Sequence, residues 1–237
     1  NNMLIADGLF DKSDFNITTD ADGKSIYTLK NGIARPGWLP TPMPGDIRYR
    51  DLNEDGVIDD FDRIKDAANP TVPEIIYGAG INLQYKGFYA SAFFQGAGNV
   101  STNLNNQANA FMPFHWGVME SNVRKEIVDS RWTEANPSQD VFFPRLRVAN
   151  MVNTNTQSTW WVKDASFVRL KNVEAGYNFH SNVLEKAKMK SGRVYVMGQN
   201  VVLWDKVKMY DPELGNSAAG TKYPIPITWT VGLEMTF

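Results

Sequence analysis

Residues 226–237 read Pro226-Ile227-Thr228-Trp229-Thr230-Val231-Gly232-Leu233-Glu234-Met235-Thr236-Phe237. Ile227, Trp229, Val231, Leu233, Met235 and Phe237 share one parity, and Thr228, Thr230, Gly232, Glu234 and Thr236 share the other. Successive side chains of an extended chain point to opposite faces. A period of two therefore predicts a strand with one apolar and one polar face. A carboxylate held between apolar neighbours suits a wall with hydrocarbon on one side and water on the other.

The same pattern recurs upstream. In 75–86, Ile75, Tyr77, Ala79, Ile81, Leu83 and Tyr85 alternate with Ile76, Gly78, Gly80, Asn82, Gln84 and Lys86. Tyr77 and Tyr85 stand near the ends, where the aromatic girdles of a membrane wall belong. Lys86-Gly87 reads as a tight turn into a partner strand, 88–97, with Phe88, Ala90, Ala92 and Phe94 on its apolar face. In 165–179, Val168 and Leu170 have one parity, while Val173, Ala175, Tyr177 and Phe179 have the other. One extra residue near Lys171-Asn172 restores a single face, so a β-bulge is predicted there. A fifth strand, 193–204, alternates more weakly.

Connections between these strands are unequal. Lys86-Gly87 is minimal and 180–191 moderate, whereas 98–160 and 205–224 are long and polar. Short turns on one side and long loops on the other are the habit of outer-membrane barrels, whose short side is periplasmic. Following strand parity, the last strand runs inward and the C-terminus is expected on the periplasmic side. The expected fold class is all-β, an antiparallel transmembrane β-barrel segment with long extracellular loops and one short helix. That helix is placed within 117–132, around Val118, Val123, Ile127 and Val128. Residues 1–74 are read as an extracellular loop region with turn formers at Asp22-Gly23 and Asn31-Gly32, short strands near 15–19 and 25–30, and a Pro-rich run from Pro36 to Pro44.

Composition narrows the alternatives. A formal net charge of -2 offers no basic surface for nucleic acid. The absence of cysteine removes disulfides, thiolate zinc sites and a cysteine nucleophile. No run approaches the ~18 apolar residues of a membrane-spanning helix. Barrel strands, at ~9–11 residues with one polar face, escape that criterion. The opening Asn1-Asn2-Met3-Leu4 lacks the pattern of a signal peptide.

Several strings resemble the SusC/RagA family of TonB-dependent transporters. Pro44-Gly45-Asp46-Ile47-Arg48-Tyr49 runs into Asp51-Leu52-Asn53-Glu54-Asp55-Gly56-Val57-Ile58-Asp59. Further on stand Tyr77-Gly78, Tyr85-Lys86-Gly87-Phe88, Phe93-Phe94-Gln95-Gly96, Arg131-Trp132-Thr133-Glu134-Ala135-Asn136-Pro137 and Pro144-Arg145-Leu146. Phe167-Val168-Arg169-Leu170-Lys171-Asn172-Val173, Gly176-Tyr177, Gly198-Gln199-Asn200, Tyr210-Asp211-Pro212-Glu213 and Tyr223-Pro224-Ile225-Pro226 complete the set, and Phe237 looks like a C-terminal barrel signal. The resemblance spans roughly residues 40–237. It implies the last five strands of a 22-stranded barrel, a plug domain, a SusD-like lipoprotein lid, TonB as energy source, and import of oligosaccharides or peptides. Plug and TonB box are not in this sequence, and five strands do not close around a lumen. The chain is therefore expected to be a fragment, or one piece of a barrel completed by another polypeptide.

The best candidate site is 51–62. Asp51, Asn53, Asp55, Gly56, Val57, Asp59 and Asp62 occupy positions 1, 3, 5, 6, 7, 9 and 12 of an EF-hand loop. Those oxygens suit Ca²⁺, with Val57 giving its backbone carbonyl and Gly56 the sharp turn. Ile58 is the expected buried residue behind the loop. Asp62 is shorter than the usual Glu, as in dockerin-like loops, and no helices are expected to flank it. An Asp-rich solvated turn is the alternative, and a bound ion is expected to staple the loop rather than catalyse.

Other candidates have structural explanations. His115 and His180 read as loop or strand-end residues, without the partners a catalytic triad or zinc site needs. Trp38, Phe111, Phe114, Trp116 and Trp132 are suited to stacking on sugars, but packing within loops or against a lid is the favoured reading. Trp160-Trp161, Trp204 and Trp229 are read as girdle residues. Asn82, Gln84, Gln199 or Asn200, and Glu234 form a polar, lumen-facing set. Asn16-Ile17-Thr18 and Asn99-Val100-Ser101 are taken as chance sequons. No pair of carboxylates stands apart for glycoside hydrolysis, so no enzymatic role is expected. The competing function is a soluble, calcium-stabilised β-sandwich that binds glycan.

Overall fold

A computed structural model describes residues 2–104, 123–147, 152–186, 188–215 and 222–237. The chain divides into two compact units. The second unit carries the sheet, built from β1 (Ile75–Tyr85), β2 (Phe88–Gly98), β3 (Phe167–Asn178), β4 (Ser191–Asp205) and β5 (Thr228–Thr236). Neighbours pair in sequence order, each antiparallel to the next, which makes an uninterrupted meander.

The β1–β2 turn has Lys86 at φ 48° and Gly87 at φ 86°. Two successive left-handed residues define the hairpin turn whose twist matches that of the strands. β3 has its bulge where the alternation breaks: Phe93 faces Asn172, but Phe94 faces Leu170, leaving Lys171 as the extra residue. A second irregularity lies across from it in β4, where Leu170 faces Val202 and Asn172 faces Gln199. There Asn200 takes φ 55°, and the extra residue, added to the one in β3, keeps Val202 and Trp204 on the face of Val194 and Val196 with no change of parity along β4.

Register converts alternation into two continuous faces. One row runs Leu83, Ala90, Ala175, Val196, Val231, and the next Tyr85, Phe88, Tyr177, Val194, Leu233. On the opposite side run Asn82, Ser91, Glu174, Met197, Thr230 and then Gln84, Tyr89, Gly176, Tyr195, Gly232. The apolar face is exposed: Trp229, Val231 and Leu233 keep 59%, 76% and 62% of their surface.

Fully buried large side chains lie elsewhere. Trp161, Phe10, Phe143, Met3, Leu4, Leu9, Leu39, Ile47, Ile58, Leu104 and Ile127 all belong to the first unit. This unit joins residues 2–69 to the described residues of 103–163, two stretches read from sequence as separate loops. Ala6–Leu9 pairs with Ile47–Tyr49, Phe15–Thr19 with Ser25–Leu29, and Arg35–Pro36 with Val57–Ile58. Long-range side-chain bonds join the stretches: Tyr49 donates to the Asn153 carbonyl (2.6 Å), and Gln139 accepts from the Leu9 amide (2.8 Å). Of the helix expected within 117–132, the described part is Lys125–Asp129, with Ile127 buried. Residues 117–122 lie outside the described residues.

Candidate functional site: the polar face of the sheet

The polar face holds an ionic network toward its short-turn end. Tyr89 Oη donates to Glu174 Oε1 at 2.6 Å, and Arg193 Nε donates to Glu234 Oε2 at 2.8 Å. Arg193 Nη1 also lies 3.4 Å from Tyr89 Oη and 3.6 Å from Glu174 Oε1. Rings lie flat here because glycine faces each of them. A Cβ on Gly176 would come within 2.6 Å of the Tyr89 ring, and one on Gly232 within 2.2 Å of the Tyr195 ring. Asn82, Gln84, Ser91, Tyr89, Glu174 and Arg193 line a hollow of about 430 Å³. Asn82, Gln84, Gln199 and Glu234 occupy this face as read from the sequence. Asn200 instead sits in the bulge and donates to the Pro226 carbonyl (3.2 Å). Tyr89, Glu174 and Arg193 were missed. Their parity opposes Phe88, Val173 and Val194, which was the available signal.

At the other end of this face, the segment after β4 folds back over the sheet. Arg169, only 3% exposed, pairs with Asp211 and, at 2.6 Å, with Glu213; Lys171 pairs with Glu213 at 3.1 Å. Asp211 also caps the turn Pro212–Leu214 by accepting from the Glu213 amide (3.1 Å). Two cations and two carboxylates thus neutralise one another where water is scarce. Beside them Val207, Met209 and Tyr210 pack on Ala97, Val100, Phe167 and Leu203. Thus 205–224, read as a polar loop, begins as a packed strap.

In the loop 51–62, the candidate ligand side chains each serve a backbone amide. Asp51 accepts from Glu54 and Gly56 (both 2.8 Å), Asn53 from Asp55 (3.2 Å), Asp55 from Val57 (2.8 Å) and Asp59 from Phe61 (2.8 Å). Asp62 is fully buried and accepts from Leu52 (2.7 Å) and Asp59 (2.8 Å). Gly56 takes φ 83° and Ile58 is buried. Val57-Ile58 pairs with Arg35-Pro36. The oxygen set is chemically right for a hard cation. Among the described residues, no three or more His, Asp or Glu side chains gather as a preformed metal site.

The strings that carry the family resemblance in the first unit meet at one point. Gly45, at φ 88°, leaves room for Trp132, whose Cδ2 would lie 2.2 Å from a Cβ there. Arg145 stacks over that indole at 5.2 Å, donates to the Pro44 carbonyl (3.1 Å) and bonds Glu134 (2.8 Å), holding the Glu134 carboxyl below its usual range. Arg147 grips the nearly buried Asp46 with two donors, one at 2.8 Å. Burial still pushes the Asp46 carboxyl up, against the pull of that guanidinium. Trp132 is 3% exposed and has no surface for a sugar.

Trp161 corrects the girdle reading. It is 1% exposed in the first unit's core and donates to the Thr154 carbonyl (2.7 Å). Its neighbour Trp160 lies in the same short turn. Trp204 and Trp229, by contrast, lie on the apolar face at 50% and 59% exposure. Trp38 is engaged by Asn153 (3.2 Å) and Tyr49. His180 packs edge-on to Tyr177. Phe111, Phe114, His115 and Trp116 lie outside the described residues.

No family model matches the chain. A TonB-dependent receptor of Formosa agariphila is 32% identical over 216 residues, which is 86% of this chain and 21% of that protein. The TonB-dependent receptor SusC of Bacteroides thetaiotaomicron is 25% identical over 196 residues, 82% of this chain and 18% of that protein. This chain is a homologue of the SusC-type TonB-dependent receptors. It spans about a fifth of the length of those curated relatives. The fold agrees. A chain in the structure of the RagAB peptide importer in its closed-closed state superposes on all of this SusC homologue with TM-score 0.62 at 22% identity, using 23% of that chain. The open-open state gives 0.59 over 22% of its chain.

Proposed function

We propose that the SusC-type chain supplies five strands of the wall of an outer-membrane TonB-dependent importer, with its apolar face toward lipid and its polar face toward water. One observation carries this: an ordered meander leaves Trp229, Val231 and Leu233 exposed while its charges pair on the opposite side. A water-soluble sheet of this kind would hide that face. Strand length agrees. The ten steps between the eleven residues of β1, at ~3.4 Å each and tilted ~40°, rise about 26 Å, close to the ~25 Å apolar band of barrel walls. Bilayers do not tolerate open sheet edges, so β1 and β5 require further strands, for which the family suggests a 22-stranded barrel with a plug. The short-turn end and the C-terminus face the periplasm in this reading, and 1–74, 98–160 and 205–224 face outward. Cargo is an oligosaccharide or a peptide, delivered with a SusD-like lipoprotein lid and driven by TonB. The relation to SusC and the RagAB fold supports these partners.

The test is fractionation and uptake. The protein is expected in outer-membrane fractions, to need detergent for solubility, to co-purify with a lipoprotein and plug-bearing sequence, and to be required for growth on its cargo. A folded, monodisperse chain in detergent-free buffer would sink the proposal and favour a glycan-binding sandwich.

We further propose that Asp51, Asn53, Asp55, Val57, Asp59 and Asp62 take Ca²⁺ as a structural staple. The order of oxygen donors and the turn at Gly56 support it. Binding requires the carboxylates to exchange some amide bonds for the ion. Terbium luminescence sensitive to Asp55→Ala is the expected result. No luminescence, and a melting temperature indifferent to chelator, would refute it.

A further inference from the structure

At its short-turn end the sheet is lopsidedly cationic. Lys86 lies in the β1–β2 turn, and the sequence of the β3–β4 connection carries Lys186, Lys188 and Lys190 against a single acid, Glu185. Lys86, Lys188 and Lys190 are exposed, and none has an ion-pair partner among the described residues. The acids on the nearby polar face are already committed, Glu174 to Tyr89 and Arg193, and Glu234 to Arg193. The lysine charges are therefore left to face outward.

Their neighbours are aromatic. Lys86 Nζ lies 5.1 Å from the centre of the Tyr85 ring. Phe88 and Tyr177 stack at 4.7 Å, and Phe179 and His180 pack on Tyr177 at 5.9 and 5.8 Å. Lys190 shares the parity of Gly192, Val194 and Val196, so it continues the apolar face past its last hydrophobic row. Its amide bonds the Thr236 carbonyl (2.7 Å), which fixes it to the sheet end. The apolar stem of a lysine lies along such a surface while its ammonium reaches the polar boundary.

We infer that Lys86, Lys188 and Lys190, with the Tyr85, Phe88 and Tyr177 rings, form a docking surface for the headgroup of an anionic glycerophospholipid. The rings meet the upper acyl chains, and the ammonium groups meet the phosphate. Unpaired cations beside an exposed apolar face select a ligand that carries an anion and a hydrocarbon tail together, which a soluble anion or a neutral lipid does not. The inference rests on the membrane-wall reading.

The test uses the protein purified from outer membranes with all that accompanies it, reconstituted into phosphatidylcholine bilayers with or without phosphatidylglycerol. Insertion is read by protease protection, and bound lipid by native mass spectrometry. The unaltered protein is expected to retain phosphatidylglycerol in preference to phosphatidylcholine. The combined Lys86→Gln, Lys188→Gln and Lys190→Gln variant should insert equally well into phosphatidylcholine and lose that preference, by on the order of fivefold per lysine. Equal lipid selectivity in both proteins overturns the inference while leaving the wall reading intact. So does binding of glycerol phosphate without its tails as tightly as the lipid. Failure to insert into either bilayer overturns both.

Discussion

Replacing Val231 with arginine tests which face of the sheet meets hydrocarbon. Val231 is in the middle of β5, level with Val196, Ala175, Ala90 and Leu83, and keeps 76% of its surface exposed. If that surface faces lipid near the bilayer centre, a guanidinium there costs about 2–4 kcal/mol. In water the same exposed position would accept arginine within about 0.5 kcal/mol. Thr230, one residue earlier, is the internal control. It lies on the opposite face beside Met197, and Thr230→Arg should stay within about 0.5 kcal/mol in either environment. The predicted quantity is thus a difference of about 2–3 kcal/mol between adjacent residues, roughly a 30- to 150-fold change in the folding equilibrium constant. Reversible denaturant unfolding in lipid vesicles measures it. Equal losses at both positions, or a greater loss at Thr230, would refute the assignment of the faces whatever the transport activity.

Gly45→Ala should destabilise the first unit by about 3 kcal/mol. The left-handed backbone accounts for about 1–2 of this, and displacement of Trp132 for the rest. Adding Trp132→Ala should cost less than the sum of the two single changes in chemical unfolding, because the clash is then gone. Arg169→Ala should cost about 3–5 kcal/mol and free the strap to protease, since Asp211 and Glu213 lose their buried counter-ion; unchanged cleavage within 206–215 would show that the strap is held otherwise. Asp62→Ala should cost about 1–3 kcal/mol even in chelator, because the amides of Leu52 and Asp59 lose their acceptor. Asp55→Ala should matter chiefly when Ca²⁺ is present. Asp164, outside the strands of the sheet, is held at about 2, first by Lys206 and then by Ser166. A carboxyl depressed in the folded state adds stability above its unfolded value of about 4, and that contribution disappears as pH falls toward about 2. The pair is largely exposed, so only a few tenths of a kcal/mol are at stake. Lys206→Met should raise the Asp164 titration in carboxylate NMR.

The sheet was legible because each strand states its own faces. Val231 needs no knowledge of Leu83 to be placed on the apolar side, and the parity change after Leu170 announces the bulge at Lys171. The second bulge was hidden. Val194 and Val196 before it and Val202 and Trp204 after it share one parity, so the sequence of β4 shows no change of face. The ionic network was hidden for another reason. Tyr89, Glu174 and Arg193 lie on three strands, and register alone brings them together. The same limit misplaced Trp161, whose burial depends on Phe142 and Phe143 and on a unit assembled from distant stretches.

The placement of the recurrent strings follows from this contrast. In the sheet, parity sets most positions, and single residues are fixed where a ring lies over glycine, as at Gly176 beneath Tyr89 and Gly232 beneath Tyr195. Where backbone turns around a large side chain, substitution is far more constrained. Gly45 has no room for a Cβ beneath Trp132, and Arg145 must reach the Pro44 carbonyl, the indole face and Glu134 at once. Pro44-Gly45-Asp46, Arg131-Trp132-Thr133-Glu134 and Pro144-Arg145 therefore carry an architectural joint. A string that identifies a relative need not mark where cargo binds. On the importer reading proposed above, selectivity is better sought on surfaces the joint leaves free, beginning with the open polar hollow beside Tyr89 and Arg193. Tyr89→Phe, which keeps the ring over Gly176 and deletes its bond to Glu174, should change cargo preference or uptake with little loss of stability, about 1 kcal/mol or less. Unaltered uptake across a panel of oligosaccharides and peptides would instead assign that hollow to packing.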